Sequence, residues 1–423
     1  MKLRNIKLNK GQMPKAEIML LEFIHNNITY IFLAFIILLS IVIRYSFRDS
    51  MNTDLEDYLA WYDGIKANGG LFGGLSGDIY NSRGELCNYP YPFLFIISIM
   101  TCLPINPLHA FKITSCIVDY LNAGAIASIV MHFCKEKNNT IDKKTKQLMV
   151  LAFSIVVIHP IVFLNSAMWG QSDGLYVFWI LLSLICLIKE KFLWVFILFG
   201  IGLSFKLQAI IVLPFLLFYY FYKKRFSIVY FAFIPLSIIV MNLPAIMQGR
   251  TIKDVLGVYV SNVGLFSSIS MRYPSFWLLI CGVLTGDEYL LVKRATIIVT
   301  IAALAVTMYI WIVKCVKLKV DTIVYMAFLL IYMAVLFLPE MHDRYGYIYE
   351  ILAIAILFME KKTLIPFFFL SFISFRTYGR YLFGLELDYF WLSLTNVLTF
   401  IAYYIILNRK IFDSNIQSIS HEK

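Results

Sequence analysis

The sequence predicts an all-α integral membrane protein: one polytopic domain over residues 1–423, with about twelve crossings and further short helices on its outer side. Three observations predict it. The chain is 60% hydrophobic and 15% charged, with a mean hydropathy of +0.77, too apolar for a soluble core of this size. Apolar runs recur along its whole length, separated by short charged punctuation. The punctuation is also unequal in sign. With the N-terminus inside, the segments that fall on the cytoplasmic side carry 23 of the 37 Lys and Arg residues, which is the positive-inside pattern.

The elements follow in order. The basic stretch MKLRNIKLNKGQMPK leads into an apolar run at 23–44. No small-residue cleavage site follows that run, so it is expected to remain as an anchor. Residues 45–90 form a first outer loop carrying amphipathic helices. Further crossings are expected at 108–134, 147–167, 174–189, 192–206, 208–222, 226–244, 291–316, 320–338, 345–359, 363–375 and 390–408. Residues 245–290 make a second large outer loop. The apolar pieces 91–104 and 276–285 are short for a span and read as juxtamembrane or re-entrant helices on the outer side. Both termini are then cytoplasmic, and the inner loops face anionic lipid.

Several function classes fall away on this reading. The net charge of +11 is a topology signal and needs no nucleic-acid partner. The seven cysteines are scattered, mostly within apolar runs and without a CxxC pair, so they read as small hydrophobes rather than disulfides or metal ligands. Lys112 and Asp119 share one face of the second crossing. A charge at the bilayer centre is costly, so Asp119 must face protein or water, either as helix–helix glue or as part of a proton path.

Orientation also places the polar motifs. The 45–90 loop, WGQSDG at 169–174, SFKLQ at 204–208, SMRYPS at 270–275 and EMHDRYGY at 340–347 all fall outside. ATP and nucleotide sugars are absent there. Chemistry built from these motifs must use an activated donor already in the membrane.

The stretch MNTDLEDYLAWYDGIK, residues 51–66, is the densest of them. Thr53 with Glu56 three residues on reads as a capping box that starts a helix, and Gly69-Gly70 stops it. Leu55, Leu59, Tyr62 and Ile65 or Lys66 form one stripe; Asp54, Asp57, Tyr58 and Trp61 form another. The expectation is a helix on the outer membrane surface, apolar stripe in lipid and acid–aromatic stripe raised. Acids at a positive helix end are common for structural reasons alone. Yet a carboxylate with aromatics along one face also suits a sugar, whose C–H faces stack on Tyr58 and Trp61 while Asp57 takes hydroxyls.

An Asp seven residues before a Trp in a long outer loop after the first helix, followed by a Tyr-Pro pair in NYPYPF, resembles membrane glycosyltransferases of the GT-C class. The segment NSAMWGQSDGLY at 165–176 is similar to the WGQxD signature of bacterial relatives of GPI-anchor mannosyltransferases. FKLQAIIVLP at 205–214 resembles their Lys-x-Gln segment, and LPEMHDRYGY at 338–347 their MHERY motif, with Asp343 where Glu is usual. Tyr91 stands where a second Pro is often found. The resemblance implies a GT-C-like fold, a polyprenyl-phosphate sugar as donor, and Asp54 as the general base that takes the acceptor hydroxyl's proton. A cell-envelope glycan, glycolipid or protein would be the acceptor. No clear Asp-x-Asp pair is present, which leaves a divalent metal without a motif to hold it.

The donor phosphate would need cations. Arg344 can fork two hydrogen bonds to it, with His342, Lys206 and Arg272 as further outer donors. The alternative for the long cations is a snorkelling anchor at a helix end. Tyr89, Trp169, Gln171, Asp173 and Tyr345 join the candidates for holding sugar or acceptor. Asp173 also reads as a helix cap, and Trp169 as an interface belt residue. Two other functions share the outer site. One is a polysaccharide polymerase or ligase using a lipid-pyrophosphate oligosaccharide. The other is a flippase, for which an internal repeat and interrupted midplane helices are wanted; neither is visible in the sequence.

Overall fold

The computed structural model describes residues 14–262 and 266–419, and the chain is helical nearly throughout. The basic N-terminal stretch, through residue 13, lies outside the described residues. Six helices among the described residues are long and apolar enough to span by themselves: Lys15–Ser46, Pro107–Asn138, Ile228–Met247, Gly286–Val313, Val320–Phe337 and Tyr389–Asp413. A seventh span is formed if Lys143–Ile158 and Pro160–Met168 count as one, bent by 48° where Pro160 interrupts the backbone ladder.

The remaining five expected crossings fall on other helices. Asp173–Ile188, Phe192–Phe205, Leu207–Lys223 and Tyr347–Met359 are each 17 residues or fewer. At 1.5 Å per residue the 16 residues of Asp173–Ile188 reach only about 24 Å, short of a hydrocarbon core of about 30 Å. Leu364–Phe383 is longer but carries Arg376 and Arg380. The count of spans by length and composition is therefore six or seven rather than twelve.

Burial sorts the spans. In Val320–Phe337, 89% of the apolar window is buried, against 17% in Lys15–Ser46 and in Ile228–Met247. Val320–Phe337 is thus the axis of the bundle, and Lys15–Ser46 and Ile228–Met247 lie at its rim.

The charges inside the bundle are paired. Arg44, in the last turn of Lys15–Ser46, meets Asp119 at 2.7 Å, both side chains buried. Ser166 donates to the same carboxylate oxygen at 2.5 Å. Lys112 Nζ donates to the Phe47 and Ser50 carbonyls and to Ser50 Oγ, each at 2.6 Å. Of the two roles open to Asp119, joining helices is the one this geometry displays. Arg44, at the boundary of the first crossing, was the unread partner.

The helix expected after residue 52 starts where expected but for a different reason. It runs Thr53–Ala67, and its cap is Asn52, whose Oδ1 accepts from Leu55 N at 3.1 Å. Thr53 does not cap; its hydroxyl bonds Tyr381 Oη at 2.6 Å, and Glu56 is exposed. Nor does the helix lay a stripe in lipid. Leu55, Tyr58, Trp61, Tyr62 and Ile65 are all buried in protein, against the helices Tyr91–Met100 and Pro107–Asn138. Tyr58 packs on Trp61, Tyr89, Phe93 and Phe111, with ring centroids 5.2–5.7 Å apart.

Candidate active site

The separated polar motifs meet at one end of the bundle, around two adjoining cavities. The larger, about 750 Å³, is lined by Asp54, Asp57, Tyr58, Trp61, Tyr89, Trp169, Arg272, Asp343 and Tyr381 among others. The smaller, about 310 Å³, has an apolar wall of Leu207, Ile210, Ile211, Leu338 and Met341, with Lys206, Gln208 and Tyr345. Tyr89, His342, Arg344, Asn88 and Phe266 line both.

Asp54 sits in the first turn of its helix, half-buried. Its Oδ2 accepts from Trp169 Nε1 at 2.8 Å and from Gln171 Nε2. Both bonds end on one oxygen, which leaves Oδ1 without a hydrogen bond among the described residues in a side chain that lines the larger cavity. The WGQ segment reaches this position because a π-helical turn, Leu164–Met168, precedes it and Gly170 turns it at φ 75°. A Cβ at Gly170 would stand 2.5 Å from Leu55 Cδ2, so the close approach of the two elements also requires glycine.

Trp169 does not present a free face. Its ring stacks on Tyr381 at 4.2 Å and 10°, and the Arg344 guanidinium lies 5.4 Å from its centroid. The indole is a donor to Asp54 and a platform for Arg344. Gln171 is buried and ties Asp54 to Tyr58, whose hydroxyl donates to its Oε1 at 3.4 Å.

Asp173 is the first residue of Asp173–Ile188, as a cap would be, but its carboxylate points into the protein and is wholly buried. It accepts from Lys206 Nζ at 2.5 Å and Asn165 Nδ2 at 3.1 Å, and Arg344 Nε lies 3.4 Å away. It is therefore placed behind the cavity, holding two cations, rather than at its surface. Lys206 reaches it from an extended residue between two helices and still lines the smaller cavity.

The turn Met341–Gly346 supplies the rest. Met341–His342 pairs in parallel with Ser270–Met271, and Arg272 bridges to His342 with φ 70°, a strained conformation for a residue with a side chain. Burial, then Arg344, Lys206 and Arg272, push the His342 imidazole far below its usual range, so it is neutral at neutral pH. Burial pushes the Asp343 carboxyl up to about 6, against the pull of Arg344 and Arg272. Tyr345 Oη accepts from Gln208 Nε2 at 2.6 Å.

Arg344 is half-buried and makes ion pairs, at 3.4 Å to Asp173 and 3.8 Å to Asp343, but no hydrogen bond among the described residues. Trp61 Nε1 and Asp343 Oδ1 are likewise buried without a hydrogen-bond partner, and both residues line the larger cavity. Tyr89 and Tyr58 share a hydroxyl contact of 3.1 Å at its floor. Asp57 is at the rim, where Ser82 and Arg83 occupy its carboxylate: Ser82 N and Arg83 Nη2 at 3.2 Å, Ser82 Oγ at 2.5 Å. It latches the 80–86 hairpin over the mouth. Tyr381, Asn165 and Phe266 were not singled out in the sequence; nothing but their proximity in the fold marks them. Among the described residues no three His, Cys, Asp or Glu side chains converge as a metal would need.

The chain matches glycosyltransferase family 87 over residues 88–339, more than half its length. It belongs to glycosyltransferase family 87. The family is of the GT-C type, so the protein is a membrane glycosyltransferase with an all-α GT-C fold. The matched region contains Tyr89, Trp169, Gln171, Asp173, Lys206 and Arg272; it begins after Asp54 and ends before His342. No curated protein matches the chain.

Proposed function

We propose that this glycosyltransferase moves a sugar from a polyprenyl-phosphate donor to an acceptor on the outer face of the membrane, with inversion, and that Asp54 is the general base. The observation that carries the reading is Arg344: a half-buried guanidinium with no hydrogen bond among the described residues, lining both an apolar-walled cavity and the larger one beside it. That arrangement fits a ligand with a lipid tail, a phosphate and a sugar in that order. The tail would follow Leu207, Ile210 and Met341. The phosphate would meet Arg344, with Lys206 and neutral His342 beside it. The sugar would enter the larger cavity, where Tyr89, Tyr58 and Trp61 are the aromatics and hydroxyls nearest to hand, with Tyr345 in the adjoining smaller one.

The chemistry then balances. The acceptor oxygen forms a bond to the anomeric carbon as the bond from that carbon to the phosphate oxygen breaks, and the electron pair leaves with the phosphate. The acceptor's proton passes to Asp54 Oδ1. The phosphate is a good leaving group and needs no acid. Trp169 and Gln171, holding Oδ2, orient the carboxylate so that the free oxygen faces the cavity. Asp173 acts through Lys206 and Arg344, as a positioning residue. The resemblance to mannosyltransferases makes mannose the first sugar to try.

The test is incubation of the purified protein in detergent with a panel of undecaprenyl-phosphate sugars and envelope glycan acceptors, following release of undecaprenyl phosphate. Release that depends on both partners supports the reading. No release with any lipid-phosphate sugar, but turnover of a lipid-pyrophosphate oligosaccharide, would replace it with the polymerase reading.

A further inference from the structure

Asp343 is a carboxylate the mechanism does not use. Its side chain is 4% exposed, and Oδ1 has no hydrogen-bond partner. The nearest cation is Arg344 Nη1 at 3.8 Å, too far for a hydrogen bond. Its backbone N–H is fixed to the Met271 carbonyl at 3.1 Å, so the side chain is carried on a paired strand end and not a free loop. It lines the cavity that holds Asp54. A buried acceptor left unmade costs about 1–3 kcal/mol, more when charged, so the site is complete only when something donates to it.

We propose that Asp343 reads the transferred sugar, its Oδ1 accepting a hydrogen bond from one ring hydroxyl of the donor, so that the enzyme requires that hydroxyl. This rests on the donor reading above. Two of the carboxylates lining that cavity, Asp54 and Asp343, take different roles on this reading. In an in-line displacement the base and the leaving phosphate lie on opposite sides of the anomeric carbon. Asp343 is next in the chain to Arg344 and 3.8 Å from its Nη1, and on the donor reading it is given the phosphate side, leaving the base to Asp54. From there it reaches the ring of the sugar that the phosphate carries, not the incoming oxygen. Asp54, held by Trp169 and Gln171, is free to take the other side. A site built to hydrogen-bond a hydroxyl rejects the analogue lacking it by about 10⁴–10⁵, whereas an apolar pocket discriminates far less.

The probes are undecaprenyl-phosphate mannose, glucose and galactose, and the monodeoxy forms of whichever is used best. With wild-type protein, one deoxy donor is expected to lose about 10⁴ in kcat/KM and the others much less. In Asp343→Asn and Asp343→Ala the ratio between that deoxy donor and its parent should shrink to about tenfold or less, because the parent loses its partner. Inhibition by undecaprenyl phosphate, which has no sugar, should be unchanged. A flat deoxy series in wild type overturns the proposal without any variant having to fold. So does a ratio that survives both substitutions, or an equal loss of undecaprenyl phosphate binding, which would make Asp343 a support for Arg344. Absence of turnover with every lipid-phosphate sugar would instead sink the donor reading itself.

Discussion

Asp54→Asn is the substitution that isolates proton transfer from everything else at the site. The carboxylate receives both its hydrogen bonds on Oδ2, from Trp169 and Gln171. Two donors fix the orientation of the replacement amide: its oxygen must face them and its NH₂ the cavity. Packing and the turn at Gly170 are therefore kept, and the atom facing the acceptor changes from a base to a donor. General base catalysis is worth about 10²–10⁴ in rate, or about 3–5.5 kcal/mol of barrier at 1.36 kcal/mol per tenfold. kcat should fall by that factor, with KM for the lipid donor within about threefold and the yield of folded protein unchanged. Asp57→Asn is the control on the same helix. It loosens the contacts to Ser82 and to Arg83, whose side chain is 59% exposed, and an exposed pair contributes about 0–1 kcal/mol. The assay is release of undecaprenyl phosphate from the best donor under single-turnover conditions. Asp54→Asn within threefold of wild type would refute the base. Asp57→Asn worse than Asp54→Asn would show that the wrong carboxylate was chosen.

Other outcomes are expected. Arg344→Lys keeps the charge and loses the planar fork; KM for the lipid donor should rise about tenfold with the unfolding temperature little changed, and an unchanged KM would return Arg344 to a structural role. In sealed cells a membrane-impermeant thiol reagent should reach Cys102 and a cysteine placed at Ser76, but neither Cys315 nor one placed at Thr140, all of which are exposed on the protein; labelling at Thr140 would reverse the orientation. Asp343 should make the unliganded protein more stable in mild acid. Its folded pKa of about 6 lies above the carboxylate's usual value near 3.9, so the folded state binds more protons between about pH 4 and 6, and stability falls as pH rises through that window. The unfolding temperature of wild type relative to Asp343→Asn should drop from pH 4.5 to pH 7, and an identical pH dependence in the two would count against the buried, ionisable Asp343.

The motifs that meet at the cavities were visible in the sequence because function packs unusual residues together: an apolar chain has few reasons for Asp54 or for His342 to Tyr345. What a side chain faces was not visible. Asp173, Gln171 and Trp169 were read as ligand-binding because their types suit sugars; the fold buries all three and uses the last as a platform for Arg344. A helical repeat gives the stripe but not its cover, so the aromatics of Thr53–Ala67 were set against lipid or solvent when two helices lie beneath them. Asn52 and Thr53 are both good caps one residue apart, and only backbone geometry separates them. Tyr381 is more than two hundred residues from Trp169, and no local pattern announces their stacking. Length and composition single out six or seven of the twelve expected crossings, because the other five fall on shorter helices or on one that carries two arginines.

The charges around Arg344 bear on why the proposed base and the proposed phosphate site would be built together. Asp54, Asp173 and Asp343 stand against Lys206, Arg272 and Arg344, with His342 neutral, so the carboxylates and cations are formally matched before a donor arrives. Asp173 cannot be spared, since it is wholly buried between two cations that would otherwise repel each other in a medium of low dielectric. On the proposed reaction, a donor phosphate carrying one negative charge leaves carrying two, and that second charge would be costly in a closed cavity. Asp54 loses its own negative charge in the same step, by taking the acceptor's proton. The net charge of the site is then constant from reactants to products, and the change amounts to a negative charge moving across the anomeric carbon from Asp54 to the phosphate. Arg344 is placed to favour that movement, because it is held from behind by Asp173 and lies over the indole that bonds Asp54. Neutralising Asp54 in advance, as Asn does, removes the charge that should move, which is why the loss is expected in kcat and not in donor binding.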